Sequence, residues 1–483
     1  MARTNILVIM SDQHSRHVLG CYGDPLVRTP NLDRLAAQGM LFRNAYCPAP
    51  VCCPSRMSFM TGRTPSHNRV WDNQHILNSV VPTWAHALGL AGYETSLLGR
   101  MHFVGADQYH GFENRPIGEF WAAHPGAPMT GSRYPSGQHR ECMVRAGRGT
   151  TTYQWMDETI TTAVCDYLRQ RASNDGRPFA AVCGFVLPHC PYVAPPELFD
   201  HYYDKVDIPT TDTEIPPMIR NYRETRGLDT PPLTEHNIRV SRAAYYALVE
   251  HLDGLIGQIL TCLDETGLSE DTLVVYTSDH GEMAGEHGLW TKNTYYEGSV
   301  GVPLIIREPN GVAAGRTSDA ICSLIDLAPT FAEIAEAEDV PDWDGHSLCP
   351  VLQGESEMAF SEVFSELVDE SSLPGSPSRM IRSGKWKLWV HREPDGSLPV
   401  SLFDLEADPG EIHDLADLPE LDSVKNRLLA RLYQDWSPDA VLEASEQKRR
   451  DYLLLRRWGQ ELKPQLPETL SVSQAIEDDV ELL

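Results

Sequence analysis

The amino-acid sequence predicts an α/β fold: a large, mainly parallel mixed sheet sandwiched by helices, plus a small C-terminal antiparallel sheet with a helix. Four short and mostly apolar runs are spread over the first two thirds of the chain, which is typical of strands buried on both faces. Patterns of helical period lie between these runs, and strands that alternate with helices indicate a parallel sheet. Near the C-terminus the period changes to two, which predicts antiparallel strands.

The predicted elements follow in chain order. The apolar runs are residues 5–10, 94–98, 179–186 and 272–276, and the helical patterns are residues 29–38, 81–91, 157–172 and 243–266. Segments 103–152 and 196–234 are rich in Gly, Pro or Asp and show no sustained period. We expect long loops there, the second as a lid or surface excursion, because long loops in compact domains are often functional.

The C-terminal third is expected to contain a separate small unit. Residues 378–405 alternate in polarity, a helix is predicted near 419–435, and the tail after residue 440 is charged and ends acidic. The predicted domains are a catalytic α/β domain (1–375), a small α+β subdomain (376–440) and a C-terminal tail (441–483). We expect the tail to contact a neighbouring subunit in a homo-oligomer.

Composition restricts the partners and the location of the protein. A formal net charge of −28 on 483 residues argues against nucleic acid or an anionic membrane as a partner. Any site for an anion must therefore be built locally from a metal ion and a few cationic side chains. Eleven cysteines without a small-domain framework favour reduced thiols. Because neither a signal sequence nor a membrane-length apolar run is apparent, we expect a cytoplasmic protein.

Each predicted strand is followed by residues suited to binding a metal ion or an anion. Because ligands gather beyond the carboxyl ends of parallel strands, we expect these side chains to form one site. Oxygen ligands favour calcium or magnesium, whereas an added histidine nitrogen moves the preference towards manganese. The residues are Asp12 and Gln13 after the first strand, Arg100 and His102 after the second, His189 after the third, and Asp279 and His280 after the fourth.

The most informative motif is the stretch from Cys52 to Arg63, which reads Cys-Cys-Pro-Ser-Arg-Met-Ser-Phe-Met-Thr-Gly-Arg. It resembles the signature of the type I sulfatases of the alkaline phosphatase superfamily, Cys-x-Pro-Ser-Arg followed by Thr-Gly-Arg. In that family the first cysteine, here Cys52, is oxidised by a formylglycine-generating enzyme to formylglycine. The aldehyde hydrate is the nucleophile, and the aldehyde re-forms when sulfate leaves. Cys53 occupies the variable position and receives no role.

The resemblance also assigns roles to the strand-end residues. It implies a metal site of Asp12, Gln13, Cys52 (as formylglycine), Asp279 and His280. The stretch Glu286-His287-Gly288-Leu289-Trp290-x-Lys292 matches the family, so Lys292 is expected to touch the sulfate and the leaving oxygen. His189 in Pro-His-x-Pro is expected to protonate the leaving group. Arg56 would stabilise the hydrate, and His102 would help to take up its proton.

Two positions depart from the commoner family pattern. Gln13 replaces a second Asp and lowers the charge of the metal ligands. Arg100 stands where most sulfatases have Lys, and an arginine can clamp the anion but cannot transfer a proton. Asn73 is our candidate for a further contact to the sulfate.

Within the family, the nearest resemblance is to choline sulfatase and the phosphonate monoester hydrolases. It rests on residues 69–73, 101–112 and 295–304. A choline site needs aromatic or acidic groups, for which Trp71, Trp121 and Trp155 are candidates. We therefore expect hydrolysis of a small organic or aryl sulfate, with calcium as the first choice of metal and manganese or magnesium as alternatives. A phosphonate monoester or phosphodiester hydrolase with the same nucleophile is the alternative, and a non-catalytic relative is disfavoured because the motif residues are intact.

Overall fold

The computed structural model describes residues 3–120, 125, 140–173, 176–210, 215–309, 311, 313–338, 340, 342–355, 361–369, 375–464 and 479–483. The strands are β1 (Asn5–Asp12), β2 (Met40–Tyr46), β3 (Glu94–Gly99), β4 (Asn114–Ile117), β5 (Gly147–Thr150), β6 (Phe179–Pro188), β7 (Val193–Ala194), β8 (Thr272–Ser278), β9 (Leu304–Arg307), β10 (Arg316–Ser323), β11 (Glu362–Asp369), β12 (Ser376–Ser383), β13 (Trp386–His391), β14 (Val400–Asp404) and β15 (Asp479–Leu482). The helices are α1 (Pro30–Gln38), α2 (Cys52–Thr61), α3 (Pro65–Asn68), α4 (Trp84–Leu90), α5 (Arg140–Val144), α6 (Thr152–Ala172), α7 (Pro196–Tyr203), α8 (Pro217–Thr225), α9 (Glu235–Glu265), α10 (Glu297–Val300), α11 (Leu327–Ala335), α12 (Cys349–Leu352), α13 (Asp422–Leu432) and α14 (Pro438–Leu462).

The main sheet has eight strands in the order β10-β2-β9-β8-β1-β6-β3-β4. Every strand pairing in it is parallel except those of β9, which runs antiparallel to β2 and β8. The strands that carry the predicted site residues, β8, β1, β6 and β3, are adjacent in the middle of this sheet. Their carboxyl ends therefore meet at one edge, as the sequence predicts.

Helices cover this sheet and complete its core. The long helix α9 packs against α1, α6, α7 and β6, while α4 contacts β3 and α11. The inner strands β1, β6 and β8 are buried along almost their full length, which explains why the sequence shows continuous apolar runs rather than alternation. The predicted fold class is confirmed.

A second sheet of four antiparallel strands, β11-β12-β13-β14, follows in the chain. Its first strand, β11, precedes the boundary at 375/376 that we predict between the catalytic domain and the small subdomain. That boundary stays a prediction. An apolar cluster that includes Leu388, Leu428, Leu432 and Trp436 joins this sheet to α13 and α14. A small third sheet pairs β15 with β5, and β5 with β7.

The structure adds elements that the sequence patterns do not predict. Segment 196–234 contains α7 and α8, and segment 103–152 contains β4, α5 and β5 in its described parts. The first part of the predicted charged tail (441–483) belongs to a helix, α14 (Pro438–Leu462), in which ion pairs such as Arg457–Glu461 have the four-residue spacing of a helical surface. No helix in the described ranges is both long and apolar enough to cross a membrane.

Candidate active site

The predicted metal ligands converge at the carboxyl ends of β1 and β8. Ser11 pairs with Ser278 in the parallel register, so Asp12 and Asp279, the next residue of each segment, leave the sheet side by side. One potential ligand atom from each of Asp12, Cys52, Asp279 and His280 lies within 4.8 Å of the others, and all four residues are buried. The structure therefore brings together four of the five ligands that the sequence predicts in a group suited to a cation.

The fifth predicted ligand, Gln13, lies beside this group. Its backbone has a left-handed φ of 67°, and its backbone N–H donates to Asp279 Oδ1 at 3.1 Å. Its side-chain Oε1 is buried and has no hydrogen-bond partner among the described residues. An unsatisfied buried oxygen is costly, and a bound cation would satisfy it. This orphaned oxygen shows that the residues present fit a divalent metal ion.

The hydrogen bond at Nδ1 of His280 leaves its Nε2 atom available to bind a metal ion. Nδ1 lies 2.9 Å from the carbonyl oxygen of Gly281, which assigns the ring proton to Nδ1 and leaves Nε2 as the acceptor. Nε2 is 3.3 Å from Cys52 Sγ and 3.6 Å from Asp279 Oδ1. Burial lowers the pKa of His280, despite the nearby Asp279, so the imidazole is neutral and able to bind a cation.

Cys52 begins α2, a helix in which all ten residues are buried. Lys292 Nζ lies 2.9 Å from Cys52 Sγ. The backbone N–H groups in the first turn of a helix have no partner within the helix. One of them, the N–H of Cys53, donates to Asn73 Oδ1 at 2.9 Å. Asn73 thus holds the start of the helix that carries Cys52, and its expected contact with the sulfate stays a prediction.

Three buried cations surround the cluster. Arg56 donates from Nε to Asp279 Oδ2 (2.8 Å) and from one terminal nitrogen to Asp12 Oδ2 (3.0 Å). Arg100 Nε donates to the same Asp12 oxygen at 2.5 Å, and Lys292 is the third cation. Burial alone would raise the pKa of Asp12, but Arg100 and Arg56 hold it well below its usual value. Three buried cationic side chains are thus gathered at one place in a strongly acidic protein, where they can contact an anion.

The two predicted acid–base histidines have pKa values shifted in opposite directions. Burial and the adjacent Arg100 guanidinium lower the pKa of His102 well below its usual value; Nδ1 of this ring is 3.1 Å from an Arg100 terminal nitrogen. Burial also disfavours the charged form of His189, but the Cys190 sulfur raises the pKa of this histidine above its usual value. A pair of titratable groups separated in this way is suited to one base and one acid.

The geometry of His189 explains the influence of Cys190. His189 Nδ1 lies 2.6 Å from the Cys190 carbonyl oxygen and 3.6 Å from the Cys190 sulfur. The Cys142 thiol donates to Cys190 Sγ at 3.2 Å, and this hydrogen bond, with His189, lowers the pKa of the Cys190 thiol. A partly anionic sulfur beside the ring favours the protonated form of His189.

The aromatic residues proposed for a choline site are not gathered around this cluster in the described structure. Trp71 is buried in the C-terminal apolar cluster and packs edge-on against His75. Trp155 is partly buried on α6 and packs against the main core. Trp121 lies outside the described residues.

Sequence reasoning missed two buried carboxylates that organise the site, Glu119 and Glu282. Glu119 accepts hydrogen bonds from the backbone N–H groups of Met101 (3.2 Å) and His102 (2.8 Å), and it pairs with Arg115. Its segment shows no regular period, so no local pattern marks it. Glu282 follows the predicted ligands Asp279 and His280 by three and two residues, and this proximity is the one signal that marks it.

Comparisons with known proteins identify the family of the chain. The sulfatase family model matches residues 4–337, and the C-terminal model of N-sulphoglucosamine sulphohydrolase matches residues 285–437. The chain is 37% identical to a choline-sulfatase of Rhizobium meliloti (strain 1021) in an alignment of 436 residues that covers 86% of this chain and 83% of the relative. It is 32% identical to arylsulfatase K of Xenopus laevis, over 86% of this chain and 80% of that protein.

Solved structures show the same fold. A phosphonate monoester hydrolase from Silicibacter pomeroyi superposes with a TM-score of 0.74 at 25% identity, covering 89% of this chain and 95% of that one. The corresponding hydrolase of Agrobacterium radiobacter gives a TM-score of 0.74 at 22% identity, covering 92% and 96%. Because the sulfatase family model matches most of the chain and a choline-sulfatase is 37% identical over 86% of it, we conclude that this chain belongs to the sulfatase family.

Proposed function

We propose that this enzyme hydrolyses a small organic or aryl sulfate monoester, with formylglycine at Cys52 as the nucleophile and a divalent metal ion beside it. The observation that carries the proposal is the environment of Cys52 Sγ. This atom lies 2.9 Å from Lys292 Nζ and 3.3 Å from His280 Nε2, at the start of a buried helix and within a motif of the sulfatase type. The sulfur marks the position that a hydroxyl of the formylglycine hydrate would take.

Asp12, Gln13, Asp279 and His280 would hold the metal ion together with the modified residue 52. When bound, a divalent cation neutralises negative charge on the oxygens of the transferred group. Three oxygen donors and one imidazole favour calcium as the first choice, with manganese or magnesium as alternatives. Asp12 Oδ2 and Asp279 Oδ2 are engaged by arginines, so their Oδ1 atoms are the ones that face His280 and Cys52.

A formylglycine hydrate supplies a hydroxyl nucleophile and a second hydroxyl whose deprotonation releases sulfate. Around it, Lys292 is placed to hold an anionic oxygen. Burial alone would lower the pKa of its amine, but Cys52, Asp12 and Asp279 raise it in the unconverted chain, and the two carboxylates remain after conversion to keep the amine charged. Arg56 fixes the two metal-binding carboxylates relative to α2, which orients residue 52. Arg100 is charged at every working pH and adds a fixed cation beside Asp12.

Proton transfer is assigned to the two histidines. The raised pKa of His189 favours the protonated ring, so this residue is suited to protonate the leaving alcohol. The lowered pKa of His102 keeps that ring neutral, so it is suited to accept the proton of the hydrate. Arg100 cannot release a proton, so it binds the anion and takes no part in proton transfer.

Hydrolysis of phosphonate monoesters with the same nucleophile is the second candidate. Sulfate monoesters and phosphonate monoesters both present a tetrahedral group with one negative charge, and the cluster of cations fits either. The similarity to phosphonate monoester hydrolase structures supports this candidate. The full-length similarity to a choline-sulfatase and to arylsulfatase K favours the sulfate, and on that balance we place the sulfate first.

Maturation, location and assembly complete the proposal. A formylglycine-generating enzyme is the partner required to convert Cys52. All eleven cysteines lie in described segments and none of them forms a disulfide bond, which supports a reducing, cytoplasmic compartment. We keep the expectation of a homo-oligomer with a contribution from the C-terminal tail, of which residues 465–478 lie outside the described ranges.

The experiment compares matched aryl sulfate and aryl phosphonate monoesters as substrates of protein co-expressed with a formylglycine-generating enzyme. We expect preference for the sulfate, complete loss of hydrolysis in Cys52→Ala, and retained hydrolysis in the control Cys53→Ala. Cys53 is equally buried and adjacent in sequence, so the control separates loss of the nucleophile from damage to α2. Preference for the phosphonate would establish the second candidate, and equal activity of Cys52→Ala would contradict both.

A further inference from the structure

Glu282 is a fully buried carboxylate at which several parts of the site meet. Its Oε1 accepts hydrogen bonds from the backbone N–H groups of Ala284 (2.8 Å) and Thr291 (2.6 Å). Its Oε2 accepts from the Tyr192 hydroxyl (2.8 Å) and from Gln13 Nε2 (2.5 Å). Four donors around one carboxylate satisfy both of its oxygens and hold it in place.

The contact with Gln13 decides which end of the carboxamide faces the metal cluster. A carboxamide has a donor end, Nε2, and an acceptor end, Oε1. Because an acceptor-only carboxylate occupies the Nε2 side, the amide oxygen of Gln13 must point the other way. That oxygen is the buried atom without a partner among the described residues, which leaves it available to a cation. With a neutral or donating group at position 282, both amide orientations would be open.

We propose that Glu282 is a positioning residue that orients Gln13 so that its Oε1 binds the metal ion. Through Thr291, the same carboxylate holds the backbone next to Lys292, so the metal ligand and the cation that contacts residue 52 share one anchor. Through Tyr192, it also reaches the loop that follows His189. This inference rests on the metal site of the proposed function.

The same contact accounts for the departure of position 13 from the commoner acidic pattern. A carboxylate at position 13 would face the carboxylate of Glu282 without an N–H group between them, and like charges at hydrogen-bond distance in a buried site repel strongly. An amide removes this repulsion. The negative charge that Gln13 does not supply to the metal is supplied by Glu282, one hydrogen bond farther away.

The test measures Ca²⁺ affinity by titration calorimetry on the full chain, without any substrate. The proteins are the unsubstituted chain, Glu282→Gln, Gln13→Ala and the double variant. We expect Glu282→Gln to weaken Ca²⁺ binding about 10–100-fold, the usual effect of removing a group that orients a metal ligand. In the Gln13→Ala background, Glu282→Gln should cause little further loss, because its effect passes through the Gln13 oxygen.

A matched control separates this effect from the loss of a buried carboxylate in general. Asp253 is buried on α9 and accepts hydrogen bonds from the backbone N–H groups of Asn31 (3.1 Å) and Leu32 (2.9 Å) and from the side-chain amide of Asn31 (2.9 Å). Like Glu282, it thus accepts from two backbone N–H groups and one side-chain amide, and none of these partners belongs to the site. Asp253→Asn should lower the urea midpoint without changing Ca²⁺ affinity.

Two results of these titrations would overturn the inference. Unchanged affinity in Glu282→Gln would overturn it, and so would an equal loss in the Gln13→Ala background, which would show that Glu282 acts independently of Gln13. If Glu282→Gln does not fold, Glu282→Asp keeps the charge but shortens the side chain, and it should also weaken Ca²⁺ binding. Failure of both variants to fold would show a purely structural role. Absence of divalent-metal binding by the unsubstituted chain would instead overturn the metal site itself.

Discussion

The buried charge network around Lys387 offers a quantitative test of how the C-terminal sheet supports the site. Lys387 lies on β13 and has no exposed side-chain surface. Its Nζ is 2.7 Å from Glu297 Oε1 and also contacts Glu411. Glu297 in turn pairs with Arg16, four residues after Asp12, and follows Lys292 by five residues. The network therefore joins two site segments to the second sheet.

We expect Lys387→Met to destabilise the protein by about 3–5 kcal/mol, the usual cost of removing one partner from a buried ion pair. The methionine fills a similar volume but leaves two carboxylates together. Glu297 retains Arg16 and the Tyr46 hydroxyl (3.1 Å), whereas Glu411 retains the backbone N–H of Glu297 (2.7 Å). Burial already raises the pKa of Glu411, against the influence of Lys387.

The loss should grow with pH. Without Lys387, the folded-state pKa of Glu411 rises further above its unfolded value, so the folded variant binds a proton that the unfolded chain releases. Stability of the variant is therefore greatest below the unfolded pKa and falls as pH rises through the folded pKa. Urea denaturation at pH 5 and pH 8 measures both effects, and the difference from the parent should be larger at pH 8.

Lys385→Met is the matched control, since Lys385 lies two residues earlier and pairs with Asp404 while 38% exposed. Pairs of this kind contribute about 0–1 kcal/mol. Equal losses in Lys387→Met and Lys385→Met, or a loss in Lys387→Met that does not change with pH, would refute the reasoning.

Three further predictions concern the site. Cys190→Ser should move the alkaline limb of the kcat profile to lower pH, because the sulfur raises the pKa of His189; an unmoved limb would remove Cys190 from this role. His189→Ala should slow an alkyl sulfate by about 10²–10⁴-fold but a nitrophenyl sulfate far less, since nitrophenolate leaves without a proton; equal losses would contradict the assignment of His189. Chelation with EDTA should lower activity and the thermal midpoint together, and Ca²⁺ should restore both; a midpoint insensitive to both reagents would contradict the metal site.

Much of the site could be predicted because parallel strands impose a simple geometry. Asp12 and Asp279 follow apolar runs, and the register of β1 with β8 places them side by side whatever the distant loops do. Cys52 and Lys292 could be assigned only through the motif, since no periodic pattern relates residues 240 positions apart that meet at 2.9 Å.

The parts that could not be predicted depend on contacts made by irregular backbone. Glu282 accepts a hydrogen bond from the side-chain amide of Gln13, and Asn73 accepts one from a backbone N–H at the start of α2. Glu119 reaches the backbone of His102 from a segment without a regular period. Such contacts are set by tertiary packing of turns with left-handed residues such as Gln13 and His102, for which one sequence carries no local signal.

The most direct test of the central claim relates sulfate release to the modification of residue 52. The protein is prepared with and without a formylglycine-generating enzyme, and the fraction of aldehyde in the peptide that contains Cys52 is measured by mass spectrometry. We predict that the initial rate of aryl sulfate hydrolysis is proportional to this fraction and vanishes in protein that carries only the thiol. Equal hydrolysis by the unconverted thiol form would contradict the proposed nucleophile.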